Sequence, residues 1–379
     1  MTNPLQQLAQ AGQSIWLDYM HRKLMEGGEL KRLIDEDAVT GVTSNPSIFE
    51  KAIGEGGDYD DRIKEALAGG GELSAMDLYE AVAIRDIQAA ADVLKPVWDR
   101  TQGRDGYVSL EVSPYLALET DDTIREGERL WQAVGRPNLM IKVPGTTSGP
   151  PAIAALIGKG INVNVTLLFG VDAYLKVAEA HIQGLEYLKA HGGDVSKVHG
   201  VASFFVSRID TKIDAAIDER VKAGDAKADE LKALRGKVAI ANAKVAYQHY
   251  LEMVATDRWK ALAGEGAAPQ RLLWASTGTK DPSYSDVLYV ETLIGPDTVN
   301  TMPTKTLDAF RDHGKVAPTL TQDVEGAREV IEAQARLGLD LGSVTEALVT
   351  AGVGSFSESF DSLLAAVASK RLQVQGKAA

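Results

Sequence analysis

Short apolar runs alternate with longer amphipathic stretches along almost the whole chain. That alternation narrows the fold more than any single motif. The runs expected as strands are 14–18, 41–44, 107–112, 138–143, 162–167, 198–204, 272–276 and 298–302. Between them the apolar period lengthens to that of a helix. In 209–217, Ile209, Ile213, Ala216 and Ile217 recur at helical spacing, with Asp210, Lys212, Asp214 and Asp218 assigned to the opposite, polar face. Stretches 78–94 and 231–250 repeat the pattern. Strand–helix alternation implies a parallel sheet. Eight such units fit an α/β fold of the (β/α)8 TIM-barrel type, typically about 250 residues before insertions. The chain has 379 residues, so the rest is read as added helix. Helical insertions are expected near 52–75 and 210–250, the second as a long arm, with a helical C-terminal region over 304–376 broken near 314–318 and 338–342. No Pro/Gly/Ser linker separates two cores, which favours one domain over 1–379. Residues 377–379 read as a frayed tail.

Composition removes several classes of function. The chain is 45% hydrophobic and 25% charged, proportions that support a packed core. Its net charge of −13 argues against a general affinity for nucleic acid or anionic membrane, since both need a basic surface. It leaves room for a small, locally basic phosphate pocket. There is no cysteine, which removes disulfides, thiolate catalysis and cysteine-ligated zinc or iron–sulfur sites. The six histidines lack ligand spacing, so no metal is expected. The opening residues lack a basic region followed by an apolar one, so no secretory signal is expected. No window approaches the roughly 18 apolar residues of a spanning helix. These readings point to a cytoplasmic protein. They set no oligomeric state, and a homo-oligomer stays open. The glycine-rich loops at 54–60 and 69–74 do not join strand to helix as a dinucleotide loop must.

What stands at the C-terminal ends of the expected strands is more informative. One parity of each strand points into a barrel. Trp16 and Asp18 share a parity, as do Ser109 and Glu111, Met140 and Lys142, and Asn162, Asn164 and Thr166. Val201, Ser203 and Phe205 form another set, and Trp274 and Ser276 another. Asn45 follows the second run, and Asn300 belongs to the last. Nearly every strand thus delivers a polar group to one mouth, where barrel enzymes place their sites.

Lys142 is the sharpest case, set between Leu139-Met140-Ile141 and Val143-Pro144. It reads either as a strand-edge lysine that snorkels or pairs with an acid, or as a reactive amine. A desolvated lysine loses its proton more easily, and the free amine can attack a carbonyl and form a Schiff base. Glu111 and Asp18 at the same mouth, and no competing cysteine, metal cluster or nucleotide loop, favour the reactive amine. Glu111 and Asp18 each have two readings: salt-bridge partner, or general acid/base. Arg208 opens a helix, where a basic side chain helps bind phosphate, or stands there as an exposed arginine. Lys280 has the same character, beside Gly278 and Thr279, whose amides could face an anion.

Three segments carry a family resemblance. Gly41-Val42-Thr43-Ser44-Asn45-Pro46-Ser47-Ile48-Phe49 resembles the N-terminal signature of transaldolases. Asn138-Leu139-Met140-Ile141-Lys142-Val143-Pro144-Gly145-Thr146 resembles the segment bearing their Schiff-base lysine, and Asn162-Val163-Asn164-Val165-Thr166-Leu167-Leu168-Phe169 the strand after it. The resemblance covers nearly the whole chain and suits the longer bacterial members of this class I Schiff-base group. It implies that Lys142 forms the Schiff base, that Asp18 is the base for carbon–carbon cleavage, and that Glu111 is an acid/base working through a water. Asn45, Asn164, Thr166 and Ser203 would hold the dihydroxyacetone moiety and that water; Ser276 and Arg208 would bind phosphate. Phe205 falls where transaldolases carry Phe and the related fructose-6-phosphate aldolases carry Tyr. Two departures stand out. Pro150-Pro151 follow Gly149, where an aliphatic residue is usual. Thr277-Gly278-Thr279-Lys280 follow Ser276, where shorter members place an arginine, and Lys280 is the expected substitute cation.

The expectation is a cofactor-free, metal-free transaldolase of the pentose phosphate pathway acting on sugar phosphates. Its rivals are a simple class I aldolase of the same fold and a non-catalytic sugar-phosphate-binding barrel.

Overall fold

Eight parallel strands pair in sequence order and close on themselves: β1 Gln13–Asp18, β2 Val39–Thr43, β3 Tyr107–Glu111, β4 Leu139–Pro144, β5 Val163–Leu168, β6 Gly200–Phe205, β7 Arg271–Ala275 and β8 Thr298–Met302. This computed structural model describes residues 3–54, 56–69 and 73–376. Every expected strand is present, with ends moved by a residue or two. From β3 to β8 each strand residue is buried, as expected for a sheet covered by helices outside and filled by side chains inside.

Register sets the layers of the interior. Trp16 pairs with Gly41, and Asp18 with Thr43. Glu111 pairs with Lys142, and Lys142 with Asn164. The bottom of the barrel is closed by Arg271, which donates to Ser14 Oγ at 2.7 Å and stands 3.6 Å from Asp105. The Trp16 indole, which donates to Asp105 at 2.7 Å, fills the layer above. It lies so close to Gly41 that a Cβ there would stand 2.5 Å from its ring.

Two parity assignments are overturned. Val201 pairs with Arg271 and Phe205 with Ala275, so Arg271, Leu273 and Ala275 face inward on β7. Trp274 lies on the outer face, edge-on to Phe204 at 6.2 Å. Likewise Trp16 pairs with Thr301, which makes Thr301 the inward residue of β8. Asn300 is buried behind the sheet, accepting from Thr277 at 2.9 Å.

Three other expectations shift. The stretch 210–250 is no single arm but three helices, Ser207–Lys222, Ala228–Lys232 and Val238–Ala255. Asp210 and Asp214 are buried, 1% and 6% exposed, and not part of a solvated face. Pro150 and Pro151 sit in the first turn of helix Gly149–Gly158, where amides have no intrahelical acceptor, so the helix accommodates both. The helices after β8 are Thr304–His313, Val324–Arg336 and Leu341–Val374. Within 52–75, helices Pro46–Gly54 and Asp60–Ala68 are described. The glycine-rich loops fall partly, and the tail 377–379 wholly, outside the described residues.

Gly41→Ala should overpack the barrel against Trp16 and cost about 1–3 kcal/mol. Denaturant unfolding measures this. An unchanged midpoint would mean that the Trp16 ring can move aside.

Candidate active site

Lys142 reaches the C-terminal mouth from β4. Its amine donates to the Ser44 carbonyl at 3.0 Å and stands 3.1 Å from Glu111 Oε2. Both side chains are nearly inaccessible, 6% and 4% exposed. Neighbouring strands put them side by side, because β3 and β4 register Glu111 against Lys142. Burial pushes the Glu111 carboxyl above the usual range, with the Lys142 charge opposing. Glu111 stands behind the amine, toward Tyr79 and Phe360, and does not line the open mouth.

Asp18 ends β1 on the other side of the mouth. Thr43 Oγ1 donates to its Oδ1 at 2.6 Å and lies 2.7 Å from Thr301 Oγ1. Burial raises the Asp18 pKa; the Thr43 hydrogen bond and the charges of Lys142, Arg208 and Lys280 draw it back.

Nine of the eleven residues singled out in the sequence line this cavity: Asp18, Asn45, Lys142, Thr166, Ser203, Phe205, Arg208, Ser276 and Lys280. Its empty volume, open solvent included, is about 660 Å³. Glu111 and Asn164 are set back. Asn164 lies in the floor, donating to Ser109 Oγ at 2.9 Å and accepting from Ser203 Oγ at 2.7 Å. Asn45 Oδ1 accepts the Ile48 amide at 3.0 Å and so fixes the turn after β2. Thr166 Oγ1 is buried without a hydrogen bond to protein among the described residues.

Ser276 belongs to the mouth for a reason strand parity did not give. β7 ends at Ala275, and Ser276 adopts the left-handed region at φ 55°. That turn brings its hydroxyl round to Ser207 Oγ at 3.0 Å, so Ala275 and Ser276 line the mouth together. Arg208, second residue of helix Ser207–Lys222, lies 5.3 Å from the centre of the Phe205 ring. Among the described residues, neither Arg208 nor Lys280 forms an ion pair. Two uncommitted cations beside a helix N-terminus suit a phosphate.

Sequence reasoning missed Thr43, Thr301 and Phe356 in the lining. Thr43 was findable, since it shares parity with Gly41 and Asn45. Phe356 had no local signal. It comes from helix Leu341–Val374, which lays the ring 5.7 Å from Lys142 Nζ. Among the described residues, no group of three or more His, Asp or Glu could hold a metal ion, and no helix is long and apolar enough to cross a membrane.

Comparison with known proteins gives the family of the chain. A model of the transaldolase/fructose-6-phosphate aldolase family matches residues 15–367. A transaldolase of Trichodesmium erythraeum is 47% identical over 368 residues, 96% of each chain. A transaldolase of Thermobifida fusca is 46% identical over 369 residues, 97% of this chain and 98% of its own. Transaldolase 2 of Streptomyces coelicolor is 47% identical over 365 residues, 96% of each.

Thr43→Val removes a hydrogen bond that favours the ionised form of Asp18. The Asp18 pKa should then rise, and the acid limb of kcat/KM should move to higher pH. A pH–rate profile in which that limb stays fixed would detach Asp18 from the rate.

Proposed function

The chain belongs to the transaldolase/fructose-6-phosphate aldolase family, and from that premise we propose that it transfers a dihydroxyacetone unit between sugar phosphates. The donor is a ketose phosphate such as sedoheptulose 7-phosphate or fructose 6-phosphate. The acceptor is an aldose phosphate such as glyceraldehyde 3-phosphate or erythrose 4-phosphate. This is a transferase step of the non-oxidative pentose phosphate pathway, carried out in the cytoplasm. The observation that carries the reading is Lys142, held between the Ser44 carbonyl and Glu111 at the foot of a mouth rimmed by Arg208 and Lys280. Residues 1–379 are read as a single barrel domain with the surrounding helices as additions.

The residues divide the chemistry. Lys142 Nζ attacks the C2 carbonyl of the donor. Glu111, 3.1 Å from the amine, takes its proton and returns one through a water to the carbinolamine oxygen, which leaves as water. Thr166, whose buried hydroxyl has no hydrogen-bond partner among the described residues, is the group we assign to hold that water. Asp18 removes the proton of the C4 hydroxyl. The C3–C4 bond breaks, its electrons pass to the iminium nitrogen, and the aldehyde departs. The three-carbon enamine stays on Lys142 until its carbon adds to the acceptor aldehyde, whose oxygen Asp18 reprotonates. Water then adds to the resulting iminium, and the new ketose leaves with the Lys142 amine restored. Asn45, Asn164 and Ser203 orient the dihydroxyacetone moiety, Asn164 acting through Ser203. Arg208, Ser276 and Lys280 take the phosphate. Phe205 favours transfer over free cleavage, because its ring offers no hydroxyl to protonate the enamine.

An acceptor-dependent transfer assay tests the function. Release of free dihydroxyacetone at the same rate without acceptor would point to a simple aldolase instead. Borohydride with fructose 6-phosphate should fix a three-carbon adduct on Lys142, and an adduct mapped to another lysine would sink the assignment. Asp18→Ala should still trap an adduct, but one that keeps all six donor carbons. A three-carbon adduct formed at the original rate would leave Asp18 no part in cleavage. Arg208→Ala should raise KM for phosphorylated donors about tenfold or more while sparing kcat, since a charge-assisted contact is lost. An unchanged KM would place the phosphate elsewhere.

A further inference from the structure

The acidic positions of helix Ser207–Lys222 form a ladder of acceptors, and that ladder grips the loop that carries Lys280. Asp210 accepts from Tyr289 OH at 2.9 Å and from the Ala239 amide at 2.8 Å. One turn on, Asp214 accepts from Tyr284 OH at 2.8 Å and from the Gly236 amide at 3.1 Å. A further turn on, Asp218 pairs with Arg235, whose other nitrogen donates to Asp281 at 3.0 Å. Gly236, at φ +66°, lets the Tyr284 ring lie against the backbone, where a Cβ would stand 2.9 Å from it. Asp281, adjacent to Lys280, also receives the Ser283 amide at 2.9 Å, which tightens the same turn.

We propose that Tyr284, Asp214, Asp281 and Arg235 are positioning residues that fix Lys280 over the barrel mouth. Arg208 and Lys280 then face the substrate phosphate as a matched pair. The inference rests on the reading of Lys280 as a phosphate ligand. The physical ground is that one helix controls both cations. Arg208 is its second residue. Farther along it, Asp214 holds the loop from which Lys280 extends by a direct contact, through Tyr284, while Asp218 holds it through Arg235 and Asp281. Lys280 is exposed and its long side chain has no ion pair among the described residues, so only its backbone can be placed in advance. Placing it removes part of the ordering cost that phosphate binding would otherwise carry.

Two variants cut the clasp separately. Tyr284→Phe deletes one hydroxyl and keeps the ring against Gly236. Asp281→Ala cuts the contact of Arg235 with the loop, leaving Arg235 on Asp218 and buried Asp214 in place. Each should raise both KM for fructose 6-phosphate and the inhibition constant of inorganic phosphate by about three- to tenfold, as loss of one ordering hydrogen bond permits. With D-glyceraldehyde as acceptor, kcat should stay within about twofold, because chemistry at Lys142 is untouched. In a Lys280→Ala background Tyr284→Phe should add nothing, because coupled residues fail to add. A purely structural clasp would lower kcat with KM and would add to Lys280→Ala; either result overturns the proposal. Unchanged KM in both clasp variants, beside a raised KM in Lys280→Ala, overturns the clasp and leaves the phosphate reading standing. An unchanged KM in Lys280→Ala removes Lys280 from phosphate binding, and the clasp proposal with it.

Discussion

A lysine amine buried inside a barrel must be paired, and much of this structure follows from how Lys142 is paired. Left alone, such a charge would cost several kcal/mol. The Ser44 carbonyl and the Glu111 carboxylate supply the partners, and each is placed by a neighbouring segment and not by Lys142 itself. The block from Gly41 to Phe49 therefore reads as a set of physical tasks. Gly41 makes room for Trp16, Thr43 holds Asp18, Ser44 accepts from the amine, and Asn45 fixes the turn into the next helix. Four demands of the barrel interior and mouth, set within five residues, leave little freedom in that stretch.

The two carboxyl groups are raised by the same cause, burial, yet they face different surroundings. Glu111 faces the amine and is screened from the open mouth, a position suited to exchanging protons with the nitrogen chemistry. Asp18 faces the mouth, held by Thr43 and within the field of Arg208 and Lys280, a position suited to a substrate hydroxyl farther out. The charge arrangement of the whole chain sharpens this. Surface arginines such as Arg129 and Arg258 each hold two glutamates, in a protein with net charge −13. Against that background Arg208 and Lys280, without an ion pair among the described residues, give the mouth a local positive character of the kind the proposed phosphate contact needs.

The barrel was legible because most of its strands are short apolar runs of the right length; Thr298–Met302, with two threonines and an asparagine among five residues, gave the weakest signal and still forms β8. The site was legible where strand parity held, as at Asp18, Lys142, Thr166 and Ser203. It failed on β7 and β8, where composition misled. Trp274 looks like an interior residue but packs outside against Phe204, while Arg271, which looks like a surface residue, plugs the barrel floor. The acidic ladder was misread for a similar reason. Asp210 and Asp214 keep the spacing of a polar face, and only tertiary structure brings the Tyr289 and Tyr284 hydroxyls to them. Phe356 was beyond reach, since nothing local says that a helix far along the chain lies across the mouth.

That last helix also bears on how the site keeps its shape. Two residues with side chains take the left-handed conformation beside the chemistry, Leu167 at φ 58° and Ser276 at φ 55°. Such positions cost of order 1–3 kcal/mol each and persist only where the surroundings over-determine them. At Leu167 the pairing of β5 with β6 slips between Val165 and Leu168, so that Thr166 lies within the slip. Helix Leu341–Val374 packs Gly352 against that leucine, so closely that a Cβ would stand 2.8 Å from its side chain. One turn later the same helix sets Phe356 over the amine. The strained backbone that aims Thr166 and the ring that covers Lys142 are therefore held by a single element. A displacement of this helix would disturb both together, which ties the shape of the catalytic mouth to a helix that belongs to none of the eight strand–helix units.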